Sequence, residues 1–570
     1  MTAPAPAPWA GHAQWCELHD SLDDGATFLQ LWRAWRDDPQ RPGLLHVVAL
    51  APFPPPADAV RTRAPEGCAA LAEQLAQQWW GLLPGAHRLA FESGRVLLTL
   101  HVGLPLDSLR ECSFTADALR LSAPGPATPR GPGELKALAR LCRRGTLLRA
   151  AHCDATFLRD AASAGFMASA SRGAVHAHES FEGVYDPAWS PKGLRSASRR
   201  AADHCIVVGA GLAGAAVAQA LARRGWEVSV IDQASTPASG ASGLPAGLMA
   251  PHLSPDDGLL SRLSRSGVRL TLQHAQSLLQ AGRDWGAEGA LEHRRRSPTR
   301  PIAASGAAAA DWSRAAEPDE KQQALLPPDA PAAWHPRAAW VRPGALVQAW
   351  LAQPGITWRG GVQAARVCRV GGEWRLEDAE GASLGAAPLV VLAAALGSGP
   401  LSGHRLTLQP VRGQVSWGLR EPGLALPPFP VNGNGHFLPA VPTEEGSAWM
   451  CGSSYVRGDT ALEPRASEHQ ANFERLSTLL PTVAAQLAPA FVAGRVRAWT
   501  GVRCASGDRR PLVGELEPGL WASTAMGSRG LTFAALCAEV LAARLHDEPL
   551  ALPLSLAMAL DLRRQLPASA

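Results

Sequence analysis

The sequence predicts an α/β protein of two domains, each organised around a largely parallel sheet. Three observations carry this expectation. The chain has 570 residues, more than one hydrophobic core ordinarily sustains. Residues 1–165 alternate strand-like runs with helical patterns. From Cys205 a strand, a glycine-rich turn, a helix and a second strand follow one another and open a second alternating pattern that continues almost to the end.

Composition narrows the class. A hydrophobic content of 46% with 18% charged residues describes a folded chain. The longest uncharged stretch, "GASLGAAPLVVLAAALGSGPLSG" (381–403), holds five glycines and two prolines, which suits a buried strand between turns and not a membrane span. The segment "MTAPAPAPWAGH" lacks a basic region and an apolar core, so no secretory signal is expected. Ten scattered cysteines form no C-x-x-C pair; the expectation is no metal site, no disulfide framework and a cytoplasmic location. The net charge of +4 is mild, and only Lys136, Lys192 and Lys321 among the 54 cations are lysine. This reads as a composition bias, although arginine also suits a phosphate-bearing partner.

In chain order, "DSLDDGATFLQLW" (20–32) is a loop feeding an amphipathic helix: Ser21, Asp23, Asp24 and Gly25, then Phe28, Leu29, Leu31 and Trp32. Such a junction can hold a nucleotide-like ligand, because helix N-terminal N–H groups are free there. Strands are expected at 44–50 and 95–102, and helices at 71–80, 134–142 and 155–163. Residues 166–203, rich in Ser, Pro and Arg, read as a linker or exposed arm, and the Ala/Pro-rich stretch 301–333 as a surface excursion. There is no internal repeat.

The strongest signal is "CIVVGAGLAGAAVAQALARRGWEVSVID" (205–232). Ile206, Val207 and Val208 make a buried strand, Gly209, Gly211 and Gly214 fall in G-x-G-x-x-G spacing, a helix runs to Arg224, and 226–232 is the next strand. Asp232 closes it, 18 residues after Gly214, where a carboxylate can accept from ribose hydroxyls. The glycines make the tight turn, admit the pyrophosphate and let helix and strand pack, with Ala210 between the first two. Two further loops favour FAD over NAD. "ASGASGLPAGLMAP" (238–251) offers Ser242 and Gly243 as backbone against a diphosphate. "AMGSRGLTFAALCAEVLAARL" (525–545) sets Gly527, Arg529, Gly530 and Leu531 at the start of a long helix, whose N-terminus would stabilise negative charge on a reduced flavin.

These residues resemble a known group. Through "VVGAGLAG", "GASG", "GVRCASGDRRPLVG" (501–514) and "GSRGL", the C-terminal part is similar to the D-amino-acid oxidase/glycine oxidase flavoproteins. With "LPGAHRLAFESGRV" (83–96), "QVSWG" (414–418), "CGSSYVRGDT" (451–460) and "LCAEVLAA" (536–543), the whole chain resembles the MnmC family of transfer-RNA wobble-uridine-modifying enzymes. The resemblance implies a Rossmann-like methyltransferase-type domain at 1–165, then a linker at 166–203. It implies an FAD-dependent oxidoreductase domain at 204–570, with FAD-binding parts near 204–255, 335–410 and 500–550. An inserted antiparallel-sheet substrate domain would be built from 256–334 and 411–499. It implies transfer RNA as partner, with no membrane and no metal.

The implied flavin reaction removes the carboxymethyl group from 5-carboxymethylaminomethyl-uridine: hydride leaves the N–CH2–COO⁻ methylene, and the imine hydrolyses to amine and glyoxylate. A substrate carboxylate calls for a guanidinium, with its planar two-pronged donor set. By the match of 501–514 this is Arg503; the structural alternative is an ion pair between Arg503 and Asp508. Tyr455, one of two tyrosines, could cap the pocket or simply pack.

The resemblance further implies S-adenosylmethionine binding in the N-terminal half, and there the residues depart from the family pattern. Ser21, Asp23 and Asp24 stand where glycine or threonine is expected, and only Gly25 fits. The ribose-gripping acid falls at Ala51, a second acid at Leu104, and the acid facing the reacting amine at Ser122, in "SAPGP" (122–126). A side chain at a required glycine blocks close approach, and an added carboxylate repels the methionine carboxylate. The methyltransferase half is therefore expected to be degenerate. The alternatives are a fully bifunctional enzyme, a non-catalytic N-terminal half that helps grip transfer RNA beside the basic runs at Arg195, Arg199, Arg200 and 293–296, and a small-molecule amine oxidase.

Overall fold

The structure is a computed structural model that describes residues 7–123, 131–151, 153–168, 180–189, 200–254, 256–294 and 306–566. It divides into two compact units: residues 1–201 with 542–557, and residues 202–541 with 558–570.

The first unit is built on an eight-stranded sheet. Its strands lie in the order Gly85–Phe91, Val96–Val102, Leu44–Leu50, Gln14–His19, Ala116–Leu121, Cys142–Ala151, Ser180–Tyr185 and Phe166–Ala168. The five central strands are parallel, and an antiparallel partner joins at each side. Parallel strands are covered on both faces and so read as continuous apolar runs. In "LLHVVAL", Val47 and Ala49 enter one core with Phe28, Trp32 and Phe91, while Val48 and Leu50 enter the other with Leu18, Leu119 and Phe166.

Two expectations for this unit need correction. The helix foreseen at 134–142 is Pro132–Ala139, and Cys142 already begins a strand. Leu141 and Cys142 are buried by the sheet, so their apolar spacing only mimics a continuing helix. The stretch 166–203 is not simply a linker: it supplies two strands, with Phe181 and Tyr185 buried. Arg195 and Arg199 lie outside the described residues, as do 124–126.

The second unit contains the expected dinucleotide-binding sheet, six strands in the order Ile356–Arg359, Glu227–Ile231, His204–Val208, Leu389–Leu392, Leu520–Thr524 and Leu512–Glu517. All neighbours run parallel except the last pair. A nine-stranded sheet carries Gln409–Leu419 between Gly446–Gly452 and Arg497–Ala505, both antiparallel to it. Alternation assigns its two faces. Arg412, Gln414 and Ser416 bond to residues at the start of, or within, helix Ala466–Leu479. Val411, Gly413 and Val415 face the other way. The excursion expected at 301–333 is instead threaded into this unit: Arg314–Ala315 and Ala332–His335 are strands of the large sheet, and Trp312 is fully buried. Among the described residues no helix is long and apolar enough to cross a membrane.

Candidate active site

Each glycine of the fingerprint has a steric reason. Gly209 has φ 111, and a Cβ there would lie 2.5 Å from the Ala393 carbonyl oxygen. A Cβ at Gly214 would overlap the Gly209 carbonyl, 2.9 Å from its carbon, so the helix packs on the turn only without a side chain. Gly211 is the N-cap of helix Leu212–Ala222, and a Cβ on it would sit 3.1 Å from Ser242 Oγ. Ser242 caps that helix from a distance, since Leu212 N–H donates to its Oγ at 3.0 Å. Gly243 follows in a short 3-10 turn, with the Ala238 carbonyl oxygen 2.8 Å from where its Cβ would be.

Asp232 stands just beyond strand Glu227–Ile231. Its carboxylate accepts from Ala210 N–H at 2.7 Å and Ala234 N–H at 2.9 Å. A carboxylate has about four acceptor positions, so Asp232 pins the glycine turn and keeps capacity for hydroxyls. Gly527–Arg529 forms a 3-10 turn leading into helix Gly530–His546, and a Cβ on Gly530 would be 3.1 Å from Leu212 Cδ1. Leu531 packs over Gly247, and its carbonyl accepts from Thr271 Oγ1 at 2.6 Å. A backbone cleared of side chains, a helix N-terminus and a carboxylate at the next strand end fit a dinucleotide such as FAD.

The residues expected on the substrate side also converge. Arg503 lies in strand Arg497–Ala505 opposite Val411. Its guanidinium crosses strand Gln409–Leu419 at Gly413, where the missing side chain makes room. It then donates to Ser453 Oγ at 2.6 Å and to the Ser454 carbonyl at 3.5 Å. Among the described residues no carboxylate pairs with it. Asp508, the alternative partner, is instead taken by Arg510 at 2.6 Å and Arg564 at 2.8 Å, so the expected Arg503–Asp508 ion pair does not form. Burial pulls the guanidinium below its ordinary pKa, and Tyr455 works the other way. Burial and the Arg509 charge likewise lower Arg529, again opposed by Tyr455. Tyr455 thus lies close to both cations and remains 44% exposed.

His436 was not foreseen. Burial, followed by the charge of Arg503, lowers its pKa to about 4, and its buried Nε2 has no hydrogen-bond partner among the described residues. Nothing in the local sequence "NGNGHFLP" distinguishes this histidine from a core one; only the sheet register sets it beside Arg503.

In the first unit, strand Gln14–His19 has parallel neighbours on both sides, the switch point where α/β sheets hold ligands. The loop after it is closed on itself. Asp20 accepts from Ser122 N–H at 2.7 Å, Ser21 Oγ donates to Asp23, and Asp24 accepts from Ala26 N–H at 3.1 Å. Gly25, with φ 86, is the turn's glycine before helix Ala26–Asp37. Ala51 is buried and carries no polar group, and Leu104 is 67% exposed.

Residues 204–544 match the family described as FAD dependent oxidoreductase. The tRNA 5-methylaminomethyl-2-thiouridine biosynthesis bifunctional protein MnmC of Polaromonas naphthalenivorans (strain CJ2) is 49% identical over 97% of this chain and 91% of its own. The protein of that name from Delftia acidovorans (strain DSM 14801 / SPH-1) is 47% identical over 98% and 92%. In fold, the chain is similar to the glycine oxidase from Geobacillus kaustophilus, with a TM-score of 0.51 at 19% identity over 64% of this chain and 99% of that one. L-proline dehydrogenase from P. horikoshii gives 0.50 at 16% identity, over 64% and 98%. Identity near one half along almost the whole chain, over a fingerprint whose glycines the packing requires, decides the matter: the chain belongs to the MnmC family, and its residues 204–544 belong to the FAD-dependent oxidoreductases.

Proposed function

We propose that this protein removes the carboxymethyl group from 5-carboxymethylaminomethyl-(2-thio)uridine at the transfer-RNA wobble position in the cytoplasm, leaving the 5-aminomethyl base, and that its methyltransferase half is degenerate. The observation that carries the reading is Arg503: a sheltered guanidinium with no carboxylate of its own among the described residues, set in the substrate-side sheet. Gly209, Gly211, Gly214, Asp232 and the Gly527–Leu531 turn would hold FAD, which would supply the hydride acceptor for oxidation of the N–CH2–COO⁻ methylene. Arg503 grips the carboxylate through two parallel N–H donors and fixes the methylene's orientation. Ser453 holds the guanidinium in place, and His436, neutral at physiological pH, adds no competing charge. Tyr455 closes the outer side of the pocket.

Mass spectrometry of wobble nucleosides tests this, after incubating the flavin-loaded protein with hypomodified transfer RNA, with and without S-adenosylmethionine. The expected product is the 5-aminomethyl base under both conditions. An added methyl group dependent on S-adenosylmethionine would restore the bifunctional reading, and an unchanged base would remove the function.

A further inference from the structure

Around the large sheet, Arg497 is paired with Glu445, Arg465 with Asp459, Arg405 with Glu517 and Arg510 with Asp508. Arg420, Arg457 and Arg509 are exposed, and among the described residues none of the three has a carboxylate within salt-bridge distance. Of these, Arg457 and Arg509 stand at the outer rim of the Arg503 pocket. Val411 pairs with Arg457 on one side and with Arg503 on the other, so the two arginines leave the sheet from the same face. Arg457 sits over the Tyr455 ring, 6.0 Å from its centroid. Arg509 occupies the turn after Ala505, and Ala505 bridges to Met526 at the start of the Arg529 turn. The charge of Arg509 reaches Arg529.

Like charges held together without an acid repel one another, and the repulsion is relieved when a polyanion docks. An exposed aromatic ring among unpaired guanidiniums is the chemistry that recognises single-stranded RNA, in which unstacked bases lie on rings and phosphates meet arginine. We propose that this rim is where the RNA strand beside the modified base docks, with Tyr455 stacking on a neighbouring base and Arg457 and Arg509 holding phosphates. The proposal rests on transfer RNA being the substrate and adds where and how it is held.

The test uses the full-length, flavin-loaded protein and a fluorescent anticodon stem-loop hairpin carrying the carboxymethylaminomethyl base. Affinity is measured by anisotropy over a salt series. The Arg457→Ala/Arg509→Ala protein should bind roughly ten- to a hundredfold more weakly, and its log–log salt slope should flatten by about 1.4, near 0.7 for each single-strand phosphate that no longer meets an arginine. Arg457→Lys/Arg509→Lys should keep the slope, because the charges remain. FAD absorbance should be the same in all variants. Unchanged affinity and slope in the alanine variant, while the native protein binds, would overturn the rim proposal alone. Loss of FAD in the alanine variant would also overturn it, by assigning these arginines to the cofactor. Failure of the native protein to bind the hairpin would overturn the transfer-RNA reading itself.

Discussion

The guanidinium of Arg503 lies across the backbone of Gly413: a Cβ on Gly413 would stand 2.6 Å from Arg503 Cζ. Ordinary contact with a Cβ begins near 3.4 Å, so the two positions are mutually exclusive unless the arginine moves. Gly413→Ala should therefore push Arg503 off Ser453 while leaving the dinucleotide site alone. A hydrogen bond to a charged group contributes about 1.5–3 kcal/mol, so KM for the carboxymethylated base should rise roughly ten- to a hundredfold. Flavin content should not change. Steady-state kinetics beside the flavin absorbance spectrum checks both.

Arg503 itself can be tested more directly. Arg503→Met should leave fold and FAD intact while turnover collapses. Removing a bidentate, charge-assisted pair of hydrogen bonds from a water-poor pocket costs on the order of 2–5 kcal/mol, or roughly thirty- to several-thousand-fold in rate. Arg503→Lys should recover only part, because an ammonium lacks the planar fork. Normal turnover in Arg503→Met at full FAD occupancy would take Arg503 out of the active site.

The fingerprint glycines give a different outcome. In Gly214→Ala the new methyl must enter space held by the Gly209 carbonyl, and backbone cannot swing aside as a guanidinium can. Strand and helix should separate at the turn, giving a protein largely free of FAD, with a melting temperature several degrees lower. Absorbance at the flavin bands and calorimetry report the two effects together.

Much of the fold was legible in the sequence because it rests on local rules. Glycine spacing, strand hydrophobicity and a terminal carboxylate act within some thirty residues, so the first βαβ unit can be read directly. What escaped is long-range. Ser242 caps a helix that starts thirty residues earlier in the chain, and His436 comes within reach of the Arg503 charge only through three strand registers. The short strands at Phe166–Ala168, on the sheet's edge, and Ser180–Tyr185, next to it, hide in a polar stretch because strands near a sheet edge need few apolar residues. The Arg503–Asp508 alternative looked reasonable because the two are five residues apart, but the turn at Ser506–Arg510 delivers Asp508 to Arg510 and Arg564 instead.

Acid should unfold the protein through identifiable groups. In the first unit, burial alone would raise Glu17, but His19, Arg120 and the Trp15 N–H outweigh it and hold its pKa at about 2. In the second, Glu292 is likewise held at about 2 by His335 and Arg294 against its burial. A carboxylate lowered from 4.5 in the unfolded chain contributes stability that is present above pH 4.5 and lost as pH falls towards 2. Melting temperature should therefore drop steeply between those values. Glu17→Gln and Glu292→Gln should each flatten the drop and lower stability at neutral pH, where Arg120 and Arg294 lose the buried carboxylate they pair with. Equal acid sensitivity in the native protein and both variants would contradict the assignment.

The last prediction concerns the first unit: calorimetric titration should show no S-adenosylmethionine binding. Three features act together. Asp23 and Asp24 bring carboxylates to a loop that would have to lie against the ligand's own carboxylate, a repulsion of about 1 kcal/mol or more for each close pair. Ser21, Asp23 and Asp24 bond within the loop or to the start of its helix, so opening it forfeits those bonds before any ligand contact forms. Ala51 and Leu104 offer no acceptor to a ribose. Restoring glycines at Ser21 and Asp23 alone should therefore not create a site, because the hydroxyl acceptors are still missing. Adding Ala51→Asp to those two changes is the combination expected to recover measurable affinity. Micromolar binding by the native protein would show that this switch point still holds its ligand, and would return the methyl-transfer step to the enzyme.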